Sequence, residues 1–231
     1  MGYRCVATSV AGFVQQLAVA YISKGYYFYV AGRIPEHKDP AKTDRKILEQ
    51  YSIAMSKWAR ARRKREGRAN LHYLRFLRFY VIIATHGVHP FFAAEATRLR
   101  DVRRNPISFA GYSIGCRPAR GGGKYHASVR IDRERFAELK ARFEAAAPHL
   151  SIEELCSALR SLRFEPYAPV RAQFCCLLRA VNRRRKLAGL EPVPRSVLRL
   201  RRRPVRVFEE GARPPTERVL SLPDGGVGAT E

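Results

Sequence analysis

The fold is decided by residues 57–89, which read KWARARRKREGRANLHYLRFLRFYVIIATHGVH. Residues 57–68 contain seven cations and one acid, so this segment must face water or a polyanion. The run from Leu71 to Thr85 is rich in β-branched and aromatic residues, which favour a strand in the interior of a sheet. The pattern predicts a central strand with a basic loop before it and two histidines, His86 and His89, after it.

Signals before this stretch predict alternating strands and helices. Residues 3–8 are expected to form a first strand, and Ser9 to cap a helix. Tyr26 to Ile34 is apolar on both faces, as in an interior strand. The pair Asp39-Pro40 predicts the start of a second helix, because a capping residue followed by proline is a common helix beginning.

Signals after the stretch predict a helix, a hairpin and further helices. Pro90 is expected to begin a helix that continues to Val102. Residues 107–116 and 125–131 flank a glycine-rich basic tip, which indicates a β-hairpin. Ser151 and Glu154 have the spacing of a capping box, and apolar residues at helical spacing predict a long helix over residues 169–188.

These elements predict an α+β fold with one mixed sheet of about five strands, in which strand-helix alternation is followed by the hairpin. The expected division is an α+β core domain over residues 1–165, a basic helix and arginine-rich extension over 166–210, and a disordered tail over 211–231. The tail is predicted from its content of proline, glycine, threonine and acid.

Composition narrows the class of partner. The chain has 231 residues, 46% of them hydrophobic, and a formal net charge of +24, so it can bury a core while attracting phosphate surfaces. An anionic membrane is the other partner of such a chain, but the charge here recurs in several segments instead of one helix. No run approaches the roughly 20 apolar residues of a transmembrane helix.

The cysteines indicate a reducing compartment. There are five, an odd number, mostly on apolar faces, and none forms a Cys-x-x-Cys pair. A zinc finger is therefore not expected. A cytoplasmic location is expected, because free cysteines persist in a reducing compartment.

Three basic segments, residues 57–68, 117–124 and 179–206, are predicted to follow a phosphate backbone, because guanidinium groups bind phosphates through paired hydrogen bonds. Trp58 is a candidate for stacking on unpaired bases. The candidate nucleic-acid-binding residues are Lys57, Trp58, Arg60, Arg62, Arg63, Lys64, Arg65, Arg68, Arg117, Arg120, Lys124, Arg179, Arg183, Arg184, Arg185, Lys186, Arg199, Arg201, Arg202 and Arg203.

The histidine pair supports an alternative function. His86 and His89 at the exit of a strand are candidates for binding a divalent ion, as in a metal-dependent DNA nuclease or strand-transfer enzyme of a mobile element. Their spacing places them on opposite faces of a straight strand unless Gly87 bends the chain. A divalent metal is implied only by this alternative, and no other cofactor is expected.

The sequence therefore favours a non-catalytic nucleic-acid-binding protein whose sheet acts as a platform. A third hypothesis is an RNA-organising component of a ribonucleoprotein, with the arginine-rich C-terminal segment folding on RNA. The choice between DNA and RNA, the base specificity and the oligomeric state stay open.

Overall fold

The computed structural model describes residues 3–119 and 121–208 of the chain. The described residues form two compact units, one of residues 3–16, 26–100 and 206–208, and one of residues 17–25, 101–119 and 121–205. This division differs from the predicted boundary at residue 165, because the long helix beyond it packs against a sheet strand. The predicted tail at 211–231 lies outside the described residues.

The predicted α+β class is confirmed, but the strands form two antiparallel sheets instead of the single mixed sheet that the sequence predicts. The elements that begin in the first unit are α1 (Val10–Gln15), β1 (Tyr26–Arg33), α2 (Pro40–Gln50), α3 (Lys57–Arg65), β2 (Leu71–Phe76), β3 (Phe79–Thr85), α4 (Pro90–Ala94) and β4 (Arg100–Asp101).

The sheet of the first unit is ordered β2-β3-β1-β4. Its strand β3 is buried on both faces, since residues 81–84 are all buried. On one face Tyr73 pairs with Ile82, and both belong to the core cluster. Helix α1 covers the other face, where the ring of Phe13 lies 6.5 Å from that of Phe76. Burial on both faces explains the unbroken apolar run in the sequence.

A buried ion pair joins α2 to β2. Asp44 is 6% exposed and accepts hydrogen bonds from the hydroxyl of Tyr73 at 2.6 Å and from Nε of Arg75 at 2.8 Å. A second bond runs from Nη2 of Arg75 to the other carboxylate oxygen at 2.8 Å. Because the carboxylate is paired and hydrogen-bonded, its burial is tolerated.

The second unit contains β5 (Ile107–Phe109), β6 (Tyr112–Pro118), β7 (Tyr125–Ile131), α5 (Arg133–Ala146), α6 (Ile152–Arg160) and α7 (Ala168–Leu187), with short helical turns at Ile22–Lys24 and Arg195–Val197. A π-helical segment, Gln16–Tyr21, leads from α1 into the first of these turns.

The sheet of the second unit is ordered β5-β6-β7, and α7 packs on its outer strand β7. Gln173 of α7 fixes this contact, because its side chain accepts from the backbone nitrogen of Ile131 at 2.8 Å and donates to the oxygen of the same residue at 2.9 Å. The amide thus replaces a neighbouring strand at this position of β7.

Two apolar runs of the sequence are divided by tight turns. Leu77 and Arg78 connect β2 to β3, and Leu77 has a φ of 52°. Ala110 and Gly111 connect β5 to β6 with φ values of 48° and 76°. A left-handed backbone is uncommon for leucine and alanine, so neither residue is a turn signal. The predicted central strand at 71–85 is therefore a hairpin.

Several local predictions are confirmed. Ser9 and Asp39 cap α1 and α2 through side-chain hydrogen bonds, and Ser151 with Glu154 forms the predicted capping box of α6. The helix after Pro90 is shorter than predicted and ends at Ala94. Residues 3–8 do not form a full strand. Within the part of the chain that the structure describes, their pairing with β2 is a single bridge between Val6 and Arg75.

Candidate nucleic-acid interface

The basic segment predicted as a loop forms a helix, α3. Ser56 caps it, because its side-chain oxygen accepts from the backbone nitrogen of Ala59 at 3.2 Å. Alanine, arginine and lysine are good helix formers, and Gly67, with a φ of 67°, lies two residues beyond the end of the helix. Six of the nine residues of α3 are cations, none is an acid and none is buried. The helix therefore has no apolar face that packs into the core.

Polar bonds hold α3 to the first unit instead. The guanidinium of Arg60 donates to the backbone oxygens of Leu71 and Ile53, each at 2.6 Å. The side chain of Asn70 in turn donates to the backbone oxygen of Arg60 at 3.0 Å. The predicted role of Arg60 in ligand contact is not supported by this position, because its donors are used within the fold.

The outward side of α3 carries three cations with one aromatic residue. Trp58 is 84% exposed, the largest exposed fraction among the large hydrophobic residues described. Lys57, Lys64 and Arg65 are exposed on the same helix. Proteins that bind single-stranded nucleic acid combine exposed aromatic rings, which stack on bases, with cations, which neutralise phosphates. The outward side of α3 has this composition.

The other side of α3 borders a cleft of about 420 Å³. It is lined by Ser52, Met55, Ala59, Arg62, Arg63, Glu66 and Arg68. Burial, followed by the charges of Arg68 and Arg60, lowers the pKa of the Arg63 guanidinium below its usual value. The cleft therefore holds positive charge that its single acid does not fully compensate.

Sequence reasoning missed Ser52 and Met55 as residues of this cleft. Neither belongs to a charged run, and Ser52 has a φ of 48° in the turn after α2. A helix prediction for residues 57–65 would have placed Ala59, Arg62, Arg63 and Glu66 on one side, but not the turn that faces them.

In the second unit, the hairpin tip also exposes cations. Arg117 and Lys124 are exposed, and glycines 121, 122 and 123 all have positive φ values. Three successive residues in that conformation require glycine, since a side chain would strain the backbone. Arg120 lies outside the described residues.

The predicted basic stripe of α7 is divided between surface and interior. Arg179, Arg183, Arg184 and Lys186 are exposed. Arg185 is only 4% exposed, and its guanidinium donates to three backbone oxygens, those of Ala147 at 3.0 Å, Leu150 at 2.8 Å and Glu191 at 2.6 Å. Arg185 is thus a structural residue that joins three chain segments, and we exclude it from the interface.

The arginines beyond α7 are mostly at the surface. Arg199, Arg201 and Arg203 are exposed. Arg202 is half-buried, and its guanidinium carbon lies 5.0 Å from the ring centre of Tyr167, a cation–π contact. Three of these four predicted residues are therefore accessible to a ligand.

The two histidines occupy different environments. His86 is exposed, with its ring 6.3 Å from that of Phe28. His89 is buried and caps α4, because its Nδ1 atom accepts from the backbone nitrogen of Phe91 at 3.0 Å. Burial and the charges of Arg63 and Arg68 lower the pKa of His89, which a backbone hydrogen bond with Tyr51 opposes. Within the described part of the chain, no three metal-binding side chains come together.

Gly87, between the histidines, permits a close approach of two chain segments. Its φ is 133°, and a β-carbon there would lie 2.6 Å from the backbone nitrogen of Ala69 and 2.7 Å from the oxygen of Gly67. The nitrogen of Val88 donates to that same oxygen at 3.1 Å. The residues that follow β3 are therefore hydrogen-bonded to, and packed closely against, the residues that follow α3.

Comparison of the chain with protein-family models, with curated proteins and with solved structures found no significant match. Among residues 3–119 and 121–208, no helix combines the length and apolar character that a membrane crossing requires.

Proposed function

We propose that the chain is a cytoplasmic nucleic-acid-binding protein that holds single-stranded nucleic acid on the outward side of α3. The observation that carries this proposal is the 84% exposure of Trp58 on a helix of six cations and no acid. Indole stacking tolerates any base, and Lys57, Lys64 and Arg65 neutralise successive phosphates. The hairpin tip and the exposed arginines after residue 179 are further candidate contacts.

The absence of acids from α3 supports a ligand over a solvated face. On an ordinary exposed helix, cations alternate with glutamates four residues away, which stabilises the helix and keeps it soluble. Here like charges stand three residues apart, as in Arg62 and Arg65, and repel each other, while Glu66, which pairs with Arg62, lies beyond the last residue of the helix. A bound polyanion relieves this repulsion.

The test is the salt dependence of binding to a fluorescent single-stranded oligonucleotide of mixed sequence. If about four phosphates are neutralised, affinity falls about fiftyfold between about 50 and about 200 mM salt, because bound counterions are released. A Lys57→Gln, Lys64→Gln, Arg65→Gln triple variant is expected to lower the slope of log affinity against log salt by about two.

A matched control is the Lys38→Gln, Lys42→Gln, Lys46→Gln variant, which removes three exposed charges in and beside α2. It changes the net charge equally but leaves α3 intact. Equal loss of slope in the two variants would mean that total charge, and not α3, governs binding, and the proposal would then fail.

A further inference from the structure

The two sides of α3 offer two different kinds of binding surface. A helix of 3.6 residues per turn places Ala59, Arg62, Arg63 and Glu66 on one side, and all four line the 420 Å³ cleft. Trp58 and Arg65 lie away from that side. The outward side is open to a chain of phosphates, whereas the cleft side is concave and fits a discrete ligand.

The size and walls of the cleft fit one nucleotide unit. Its volume of about 420 Å³ falls in the range of about 300–1,000 Å³ that is typical of small-molecule sites. Met55 and Ala59 give it an apolar part, and three arginines give it a charged part. Apolar walls with a few convergent charged groups are the usual composition of such a site.

The charge of the cleft fits a dianion. Glu66 is the one acid of its lining, and it lies 4.0 Å from Arg62 and 3.6 Å from Arg68. Both pairs are exposed, so they contribute little stability and are easily exchanged for a stronger anionic partner. Three guanidinium groups against one carboxylate leave two positive charges. A phosphate monoester carries close to two negative charges at neutral pH, whereas an internal phosphodiester carries one.

Arg63 has a buried donor atom without a partner among the described residues. Its Nε atom makes no hydrogen bond within the part of the chain that the structure describes, and its Nη1 atom donates to the sulfur of Met55 at 3.7 Å. The lowered pKa values of Arg63 and of His89 both have the charge of Arg68 among their causes, after burial. An anion in the cleft would offset this charge and give Arg63 the paired acceptors that a guanidinium prefers.

We propose that this cleft binds the phosphorylated end of a nucleic-acid strand, with Arg62, Arg63 and Arg68 on the terminal phosphate and the terminal nucleoside against Met55 and Ala59. The identity of the ligand as a nucleic acid rests on the proposed function, whereas the recognition of a phosphate monoester rests on the cleft alone.

The experiment compares the affinity of the full chain for three oligonucleotides of the same core sequence, ending in a 5′-phosphate, a 3′-phosphate or hydroxyls. A fourth, two residues longer and ending in hydroxyls, controls for total charge, because its two added phosphodiesters match the two negative charges of a terminal phosphate. One phosphorylated end is expected to bind about tenfold tighter than this fourth strand, because charge-assisted hydrogen bonds form only with the terminal group.

Two variants of the cleft change this preference in opposite directions. Arg63→Gln is expected to abolish it, and Glu66→Gln to increase it severalfold, because the competing carboxylate is removed. Glu66 is exposed, so its replacement keeps the fold even if Arg63→Gln does not. Arg65→Gln, on the outward side, is the matched control and is expected to weaken all four strands alike.

Equal binding of all four strands would overturn the cleft proposal and leave the proposed function standing. If no strand binds, the proposed function fails, and the nucleoside 5′-monophosphate and 3′-monophosphate then decide on the cleft. A thermal shift with either nucleotide that Glu66→Gln increases and that the unphosphorylated nucleoside does not produce supports the cleft. No shift with either nucleotide overturns it.

Discussion

The Nη1 atom of Arg60 lies 2.6 Å from the backbone oxygen of Leu71, the first residue of β2. This hydrogen bond and the bond to Ile53 hold α3, which has no buried residue, against the sheet whose strand β3 is buried on both faces. The candidate interface thus depends for its position on the side chain of Arg60, with the bond from Asn70 to the Arg60 backbone oxygen as a further contact.

The replacement Arg60→Ala is expected to loosen α3 while the sheet stays folded. Hydrogen bonds from a charged donor contribute about 1.5–3 kcal/mol each, and the helix has no apolar burial to compensate for their loss. Amide hydrogen exchange of residues 57–65 should accelerate by more than tenfold, with the amides of β3 unchanged. An Arg65→Ala control should leave both regions as they are, and uniform acceleration throughout the first unit would contradict the expectation.

Trp58→Ala should weaken binding of single-stranded nucleic acid with little change in its salt dependence. Stacking of a base on an aromatic residue contributes about 1–3 kcal/mol, so its loss lowers the affinity by about 5-fold to about 150-fold. Anisotropy titrations at two salt concentrations measure both quantities. Leu187→Ala is the control, since Leu187 is another exposed apolar residue, 77% accessible, on α7. Equal affinity of Trp58→Ala and the native chain would exclude the stacking role.

Ala110→Asn is expected to stabilise the second unit. The turn has positive φ at both central residues, and Asn-Gly is the favoured pair for this conformation. A gain of about 0.5–1 kcal/mol in the free energy of unfolding should appear in urea denaturation. Ala110→Val, with a β-branched side chain, should lower that free energy, so a decrease with both substitutions would refute the assignment of the turn.

The same turns explain which parts of the fold the sequence could predict. Caps at Ser9 and Asp39 are local hydrogen bonds, and their residue types identify them. The turns at Leu77 and Ala110 are imposed by packing of the flanking strands, so residues with no turn preference adopt a left-handed backbone there. For the same reason the sequences of the hairpins β2-β3 and β5-β6 each resemble one continuous strand.

The candidate site was predictable in composition but not in geometry. Charge runs identified Arg62, Lys64 and Arg65 as surface cations, and their exposure depends only on solvation. Arg60 and Arg185 were predicted to be surface cations for the same reason. Their side chains instead donate hydrogen bonds to backbone oxygens of other chain segments. Such acceptors are known only once the tertiary fold is known.

Protonation of His72 is expected to oppose folding in acid. Burial, and next the charge of Arg60, lowers its pKa from 6.5 to about 3. Below pH 6.5 the unfolded chain therefore binds a proton that the folded chain does not, and the free energy of unfolding decreases as the pH falls towards 3. This group contributes a slope of at most about 1.4 kcal/mol per pH unit.

The measurement is urea denaturation of the native chain and of a His72→Gln variant between pH 3 and pH 8. The difference in the free energy of unfolding between the two should be constant above pH 7 and should shift in favour of the variant as the pH falls. Parallel curves over the whole range would show that His72 is not the group responsible.

Because Gly87 has no side chain, the backbone around Arg68, a residue of the charged cleft, can lie close to it. A methyl group there would press on the peptide units around Gly67 and Arg68, and they would have to retreat from the strand that anchors them. Arg68 would then move relative to Arg62 and Arg63. Any larger residue at position 87 is therefore expected to change the spacing of these three guanidinium groups before it changes the packing of the hydrophobic interior.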